Sequence, residues 1–553
     1  MFYFCFSQLI YFLVFLFAVR ASFGAETDIL SSSDPPKDDE VNSAPKDKYN
    51  ILAVMLCYRG HFNPGSGIIR SLTERKHNVT LLTTNMCSEL VEQFAPNVAA
   101  LHELQVIPEH DFSTNVVAQF WKIHYIMHAN GTVLLYHAVD DFLKSSEVVF
   151  DGMFIDLVAN GAAIAAKKHK IPVVTQFMGP IMEPYSEKPL YFDRHEIPTE
   201  TPWEKPSLLM ALMSAFFSGV YDLAISYPIY RSVNLIHAEN GWDKVDYNNG
   251  LWPFSYTQQF SMYIAHGAQP IIHPNGFKME NVISIGFVPD KLMYSELTRE
   301  LTDFIEQADG PVIFISMGTV FMKNADELIK FYEQLKNQRN FYFIWAVKTA
   351  MIEDLGITTE PVSSERLFVG RYLPQGKILQ HSKVKLFVTH CGSNSVQDSV
   401  YAMKPMITHP GFGDQVYLSN IILKYGLGKY MVNFDYGNME SLIIELLEDS
   451  KYTQMKEKLR VYRDNQIALG GFTKGAEVIE DVISGRLKIN TNVKPEQLFG
   501  IHLFGIRATV FGVLAVVLGF FCLGVIAALK LSKFMVKTFS GNRKPHSKQA
   551  KKD

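Results

Sequence analysis

Apolar residues occur in short unbroken runs along most of this chain, and polar segments of helical length separate them. In the first half, runs of strand length occupy residues 51–57, 79–83, 148–155 and 173–177, with helical stretches at 65–77 and 160–169. A second series follows at 312–316, 341–347, 367–369, 386–389 and 406–409, with helical stretches at 326–336, 394–402 and 415–425. Strands apolar at every position are buried on both faces, and the intervening helices supply the crossovers of a parallel sheet. Two such series, with an irregular middle at about 185–310, predict an α/β protein of two doubly wound domains facing a cleft. Ligands of such sheets bind at the carboxyl ends of strands, so the strand-to-helix turns are where chemistry is sought.

Three apolar runs fit neither series. Residues 1–19 carry no charge, and small residues follow at Ala21 and Gly24. This reads as a secretory signal peptide over 1–24, with an uncleaved signal anchor as the alternative. Residues 508–529 are 22 residues without a charge, bracketed by Arg507 and Lys530. At about 1.5 Å per residue they span a hydrocarbon core as one helix. Eight basic residues against Asp553 follow the span, which places that tail in the cytosol and the bulk of the chain in the lumen, a single-pass type I arrangement. The third run, 207–221, is too short to span; it reads as a buried helix or as a lumenal patch that touches the bilayer.

The resulting map is a signal peptide at 1–24, a flexible polar leader at 25–48, and an N-terminal domain at 49–285. A C-terminal domain at 286–490, a juxtamembrane linker at 491–507, the span at 508–529 and the basic tail at 530–553 complete it. Over all 553 residues the composition is 48% hydrophobic and 20% charged with net charge −4, which excludes a mainly disordered chain and gives no nucleic-acid signature. Of five cysteines, Cys5 and Cys522 fall in the terminal apolar runs, and Cys57, Cys87 and Cys391 have neither disulfide-framework nor zinc spacing. Asn78 and Asn130 head glycosylation sequons with the topology to be used, although Asn78 also opens a predicted strand.

Three constellations carry candidate chemistry. His61 lies just after the first strand, ahead of a helix that Pro64 can open, and such a histidine can accept a proton or simply be solvated. Asp156 ends another strand; it either orients an imidazole or caps the next helix. Ser316, Gly318 and Thr319 end the strand of 312–316 and leave backbone N–H groups open to a phosphate. The stretch "FVTHCGSNS" at 387–395 reads as an anion-binding turn, a Cys391–His390 nucleophile pair or a plain turn. Neighbouring side chains in a turn point apart, and the chain lacks a G-x-S-x-G elbow, both of which disfavour the nucleophile.

The segment 371–415 as a whole resembles the donor-binding signature of the UDP-glycosyltransferases, in particular the membrane-bound UDP-glucuronosyltransferase type of animals. The resemblance rests on "YLPQ", the His390 turn with Ser393, Asn394 and Ser395, the acid Asp398, Pro405, Pro410, and Asp414-Gln415. It extends to "GHFNP", the strand with Asp156, "ISMGTV" and the C-terminal span. It implies the glycosyltransferase B fold, with acceptor on the first domain and UDP-sugar on the second. His61 then matches the general base and Asp156 its orienting acid. Tyr372 matches the uracil-stacking ring and Gln375 a ribose or uracil contact. His390 with the amides of Gly392, Ser393, Asn394 and Ser395 matches the diphosphate site, with Ser316, Gly318 and Thr319 opposite. Asp398 matches the ribose-binding acid, and Asp414 and Gln415 the sugar contacts. The chain departs from the family at three of these places, with Tyr372 for Trp, Asp398 for Glu and Cys391 for Gly.

The implied activity is inverting transfer of a hexosyl group, glucuronosyl first and glucosyl as the alternative, from a UDP-sugar to small lipophilic acceptors. The implied setting is the endoplasmic reticulum membrane, with no metal, no nucleic acid, and homo- or hetero-oligomers left open. A non-catalytic binding protein on the same fold is the competing class; it would require loss of His61, Asp156 or His390, all of which are present.

Overall fold

The computed structural model describes residues 46–55, 59–84, 98–104, 131–178, 261–267, 281–289, 296–318, 325–348, 361–371, 373–411 and 414–491, with a few isolated positions besides. The first half holds β1 (Asn50–Met55), α1 (Arg59–Glu74), β2 (Asn78–Thr84), β3 (Ala100–Leu104), α2 (Gly131–Ser145), β4 (Gly152–Asp156), α3 (Asn160–Lys168) and β5 (Val173–Phe177). It closes with β6 (Ser261–His266) and β7 (Val282–Gly286). The second half opens with α4 (Arg299–Gln307), β8 (Val312–Ser316), α5 (Ala325–Asn337), β9 (Tyr342–Val347), β10 (Val362–Ser363) and β11 (Leu367–Arg371). It continues with α6 (Gln375–Gln380), β12 (Val384–Thr389), α7 (Ser393–Tyr401), β13 (Met406–Thr408), α8 (Asp414–Lys424) and β14 (Gly428–Tyr430). Three helices end it: α9 (Tyr436–Leu446), α10 (Asp449–Ala468) and α11 (Gly471–Ile483).

Two seven-stranded sheets result, in the orders β3-β2-β1-β4-β5-β6-β7 and β10-β11-β9-β8-β12-β13-β14. The first is parallel throughout. The second is parallel except for the short antiparallel edge strand β10. The unbroken apolar runs follow from this layering. Along β1, Ile51, Ala53 and Met55 feed one core while Leu52 and Val54 feed the core on the opposite face. Along β8, Ile313 and Ile315 are separated from Val312 and Phe314 in the same way. A residue that leaves water on either face contributes roughly 1.5–3 kcal/mol, so no position in such a strand is free to be polar.

The middle of the chain is more regular than its sequence suggested, since β6 and β7 come from the stretch expected to be irregular and extend the first sheet. The strand expected over 148–155 is shorter, because Val148 and Val149 are exposed and the ladder with β1 starts at Gly152. The chain also returns. Helix α11 packs Phe472, Ala476, Ile479 and Val482 against Ile68 and Ile69 of α1, within the core of the first sheet. Glu480 fastens it there, accepting two hydrogen bonds from Arg75 at 2.6 and 2.7 Å and lying 2.7 Å from His77 Nε2.

The signal segment, the leader up to residue 45, the run 207–221, Asn130, Thr319 and Tyr372 lie outside the described residues. Within the expected span, Gly519, Phe520, Leu523, Gly524 and Val525 are described and helical, while its other residues lie outside them. Among the described residues no helix is long and apolar enough to cross a membrane.

Candidate active site

Both sheets reverse their strand order at one place: between β1 and β4 in the first, and between β8 and β12 in the second. A crevice opens there at the carboxyl ends, because the flanking connections leave in opposite directions. His61 and Asp156 lie at the first of these crevices, and Ser316 and His390 at the second.

In the first, β1 leads into α1 and β4 ends at Asp156. His61 stands in the first turn of α1, not in a loop ahead of it, and Pro64 lies within the helix where it was expected to open it. As the sixth residue of α1, Pro64 lies past the first N–H groups that have no intrahelical partner, so its missing donor leaves the Gly60 carbonyl unpaired within the helix. The His61 Nδ1 is 3.1 Å from each carboxylate oxygen of Asp156. Asp156 is fully buried, whereas about a third of the His61 side chain (30%) remains accessible. The carboxylate also accepts the Val158 N–H at 2.9 Å and the Gln176 amide at 2.8 Å. The same Gln176 nitrogen donates to the His61 carbonyl at 2.8 Å. Helix α3, by contrast, has Ala159 at its N-cap and no side-chain cap, so Asp156 serves the histidine rather than the helix. Burial alone would push this carboxyl up, but the His61 ring and the two other donors hold it below the ordinary carboxylate range. With Nδ1–H donating to Asp156, the outward Nε2 is left as the proton acceptor.

In the second crevice, Ser316 and Thr389 are register partners at the ends of β8 and β12. His390 follows, and Gly392 is the N-cap of α7. The amides of Ser393, Asn394 and Ser395 thus form the helix N-terminus, where unpaired N–H groups and the dipole favour an anion. The imidazole of His390 is clasped by two glycines. A Cβ on Gly318 would lie 2.4 Å from its Cε1 and Nε2, and one on Gly392 2.6 Å from Nε2. Gly318 has φ +67°, which favours glycine independently. Burial pushes the His390 pKa down to about 4, against a smaller upward pull from the Ser316 backbone, so the ring is neutral at physiological pH. Its buried Nδ1 has no hydrogen-bond partner among the described residues.

Cys391 adopts φ +64° and is completely buried, packed with Phe387, Val396 and Val400. The nucleophile reading fails on that observation, because a buried sulfur in an apolar cluster cannot meet a substrate. Gln375 opens α6, and its amide donates to Asp398 Oδ2 at 2.7 Å and to Ser395 Oγ at 3.3 Å. Gln415, on the first turn of α8, accepts the Gly411 N–H at 2.9 Å, and Asp414 opens that helix. Asn78 opens β2 and its amide nitrogen donates to Asn50 Oδ1 at 2.9 Å.

The two crevices face each other. The Asn394 amide donates to the Gly60 carbonyl at 2.8 Å, one residue before His61, and Gln397 donates to the His266 carbonyl at 2.7 Å. Gln176, Gln397 and His266 were not singled out from the sequence. Only Gln176 left a signal: a polar residue at the end of the buried strand β5, in register with Asp156. Among the described residues, no group of three or more His, Cys, Asp or Glu is placed to hold a metal ion.

A family model described as UDP-glucoronosyl and UDP-glucosyl transferase matches residues 253–460, the stretch that runs from just before β6 into α10. The UDP-glycosyltransferase UGT4 of Dactylopius coccus is 22% identical over 389 residues, covering 67% of this chain and 72% of that one. The nuatigenin 3-beta-glucosyltransferase of Solanum aculeatissimum is 31% identical over 177 residues, and there the match covers 28% of this chain and 35% of the plant enzyme. The solved glycotransferase of kitacinnamycin shares the fold, with a TM-score of 0.56 at 17% identity, over 79% of this chain and 99% of that one. Residues 253–460 thus match the UDP-glycosyltransferase family, and the fold of the chain is glycosyltransferase B.

Proposed function

We infer that this protein transfers a hexosyl group, with inversion, from a UDP-sugar to the hydroxyl of a small lipophilic acceptor. The observation that carries the reading is the His61–Asp156 pair, about a third accessible at the histidine and wholly buried at the aspartate, opposite the N-terminus of α7. An acceptor hydroxyl gives its proton to His61 Nε2 while its oxygen attacks the anomeric carbon. The bond to UDP breaks on the opposite face, and its electron pair leaves on the β-phosphate oxygen. An α-linked donor therefore yields a β-glycoside. Asp156 holds the imidazolium that forms, in the same way that it held the neutral tautomer. The developing charge on the diphosphate is met by the amides of Ser393, Asn394 and Ser395 and by the neutral His390, which can donate one hydrogen bond. Ser316 and Gly318 border the same turn, and Thr319 is assigned to it by the sequence resemblance.

On the nucleoside side, Gln375 and Asp398 form one hydrogen-bonded unit that can meet a ribose diol, and the sequence resemblance assigns Tyr372 to the uracil. Asp414 and Gln415 are assigned to the sugar hydroxyls. The printed name of the Solanum relative specifies a glucosyl group, so UDP-glucose is the first donor to offer. UDP-glucuronate, which the sequence resemblance implied, is the second. The terminal apolar runs and the basic tail support a membrane-anchored, lumenal enzyme of the endoplasmic reticulum that conjugates hydrophobic compounds, with Asn78 and Asn130 as glycan acceptors.

The test is a donor screen on microsomes carrying the full chain, with phenolic and steroid acceptors and free UDP as the readout. Acceptor-dependent UDP release with at least one donor is expected. Absence of release with every donor would favour the non-catalytic binding protein.

A further inference from the structure

The helix that carries the diphosphate turn is fastened to the opposite half by its own side chains. Asn394 and Gln397 are three residues apart on α7 and therefore share one face. Both point an amide nitrogen at a backbone carbonyl of the acceptor half. Neither carbonyl is arbitrary. Pro64 has no N–H, so the carbonyl four residues back, that of Gly60, loses its partner within α1. Asn394 supplies the missing donor. His266 ends β6, and its carbonyl is taken by Gln397, which is only 1% exposed.

Each anchor leads to the catalytic pair by a short path. Gly60 is bonded to His61. β6 is the register neighbour of β5, with Ile264 beside Gln176, and Gln176 holds both Asp156 and the His61 carbonyl. The junction is also incompletely satisfied. Gln397 Oε1, Gln176 Oε1 and both ring nitrogens of His266 are buried without a hydrogen-bond partner among the described residues. An unpaired buried polar atom is destabilising, and an apolar contact would hold the halves together more firmly. What the amides provide instead is direction: each fixes where a carbonyl lies relative to the turn.

We propose that Asn394 and Gln397 are positioning residues that tie the donor helix to Gly60 and His266, so that filling the diphosphate turn sets the place of the His61 imidazole. The proposal rests on the transferase reading above. Linkage requires the effect to be mutual, since a donor that orders the base is itself held more tightly when the base is ordered.

Hydrogen–deuterium exchange on the full-length chain in detergent, with UDP as the probe, tests this. Saturating UDP is expected to slow exchange at the start of α7 and also in α1 over residues 60–65 and at the end of β6, by about fivefold or more. Two variants separate coupling from binding. Gln397→Leu keeps the volume and removes the donor; Pro64→Ala gives α1 its own N–H for the Gly60 carbonyl and favours the helix. In both, calorimetric UDP affinity should weaken by about the coupling factor of fivefold while protection of α1 and β6 is lost and kcat falls about tenfold. Protection of α1 and β6 that persists in both variants would overturn the proposal, as would its absence in wild-type protein that binds UDP. Wild-type protein that binds no UDP would overturn the transferase reading itself.

Discussion

His390 has room for its ring only because positions 318 and 392 carry no side chain. Gly318→Ala would add a methyl within 2.4 Å of the imidazole at a backbone angle of +67°. The strained angle alone costs about 1–2 kcal/mol, and the displaced ring no longer meets a phosphate. UDP affinity measured by calorimetry should fall about tenfold or more, a loss of about 1.4 kcal/mol in binding; an unchanged affinity would remove His390 from the donor site. Cys391 gives the opposite expectation. Its sulfur belongs to the apolar core, so Cys391→Ala should lower stability by about 1–2 kcal/mol in chemical denaturation and leave turnover nearly unchanged. Loss of turnover in a folded variant would restore the nucleophile. Asp156, Ser316 and His390 were legible in sequence because each sits at the end of a buried strand. The partners that make them work were not. Gln176 reaches Asp156 across a strand pair, and Asn394 reaches Gly60 across 334 positions, which no local pattern encodes.

Among elements, the ones read most easily were the central strands, whose alternate residues feed two different cores. β14 has three residues and β10 two, too short for any periodicity to declare itself. β6 and β7 were missed because β6 opens with Ser261 and closes with His266 and β7 is a partly exposed edge strand, so neither reads as an unbroken apolar run. The start of α1 was misplaced because Pro64 was taken for its first residue. Strand ends also set the acid response. His266 closes β6 and His390 follows β12, and burial holds their pKa values at about 3 and about 4, below the ordinary 6.5. The unfolded chain therefore binds more protons than the folded one as pH falls through 6.5 towards 4. Stability should drop over that window, by up to about 2.7 kcal/mol per pH unit for two such groups. A urea midpoint that stays flat between pH 7.5 and 5 would contradict the buried, neutral state of both rings.

At the scale of the molecule, the last helix is a strap. Helix α11 follows the second sheet in sequence yet completes the core of the first, and Glu480 ties it to Arg75 and His77. Arg75 above all, with His77, holds the Glu480 pKa at about 2, below the ordinary 4.5, although burial opposes this. A depressed carboxyl contributes stability above 4.5 that disappears as pH falls towards 2. Glu480→Gln should thus lower the unfolding midpoint at neutral pH, and the gap to wild type should narrow below about pH 4. An equal gap at both pH values would mean that the tie acts by packing alone. The two-sheet architecture was legible from alternation of runs; this return was not, since α11 shows only an amphipathic face and nothing in it names the sheet that it covers.

The central claim is that His61, held by Asp156, takes the acceptor proton while a separate site holds UDP. Its most direct test is to measure turnover and UDP affinity side by side in wild-type protein and in His61→Ala. Loss of a general base predicts a fall in kcat of about 10²–10⁴-fold with UDP affinity within about threefold. Turnover that survives in His61→Ala, with UDP still bound, would contradict the account.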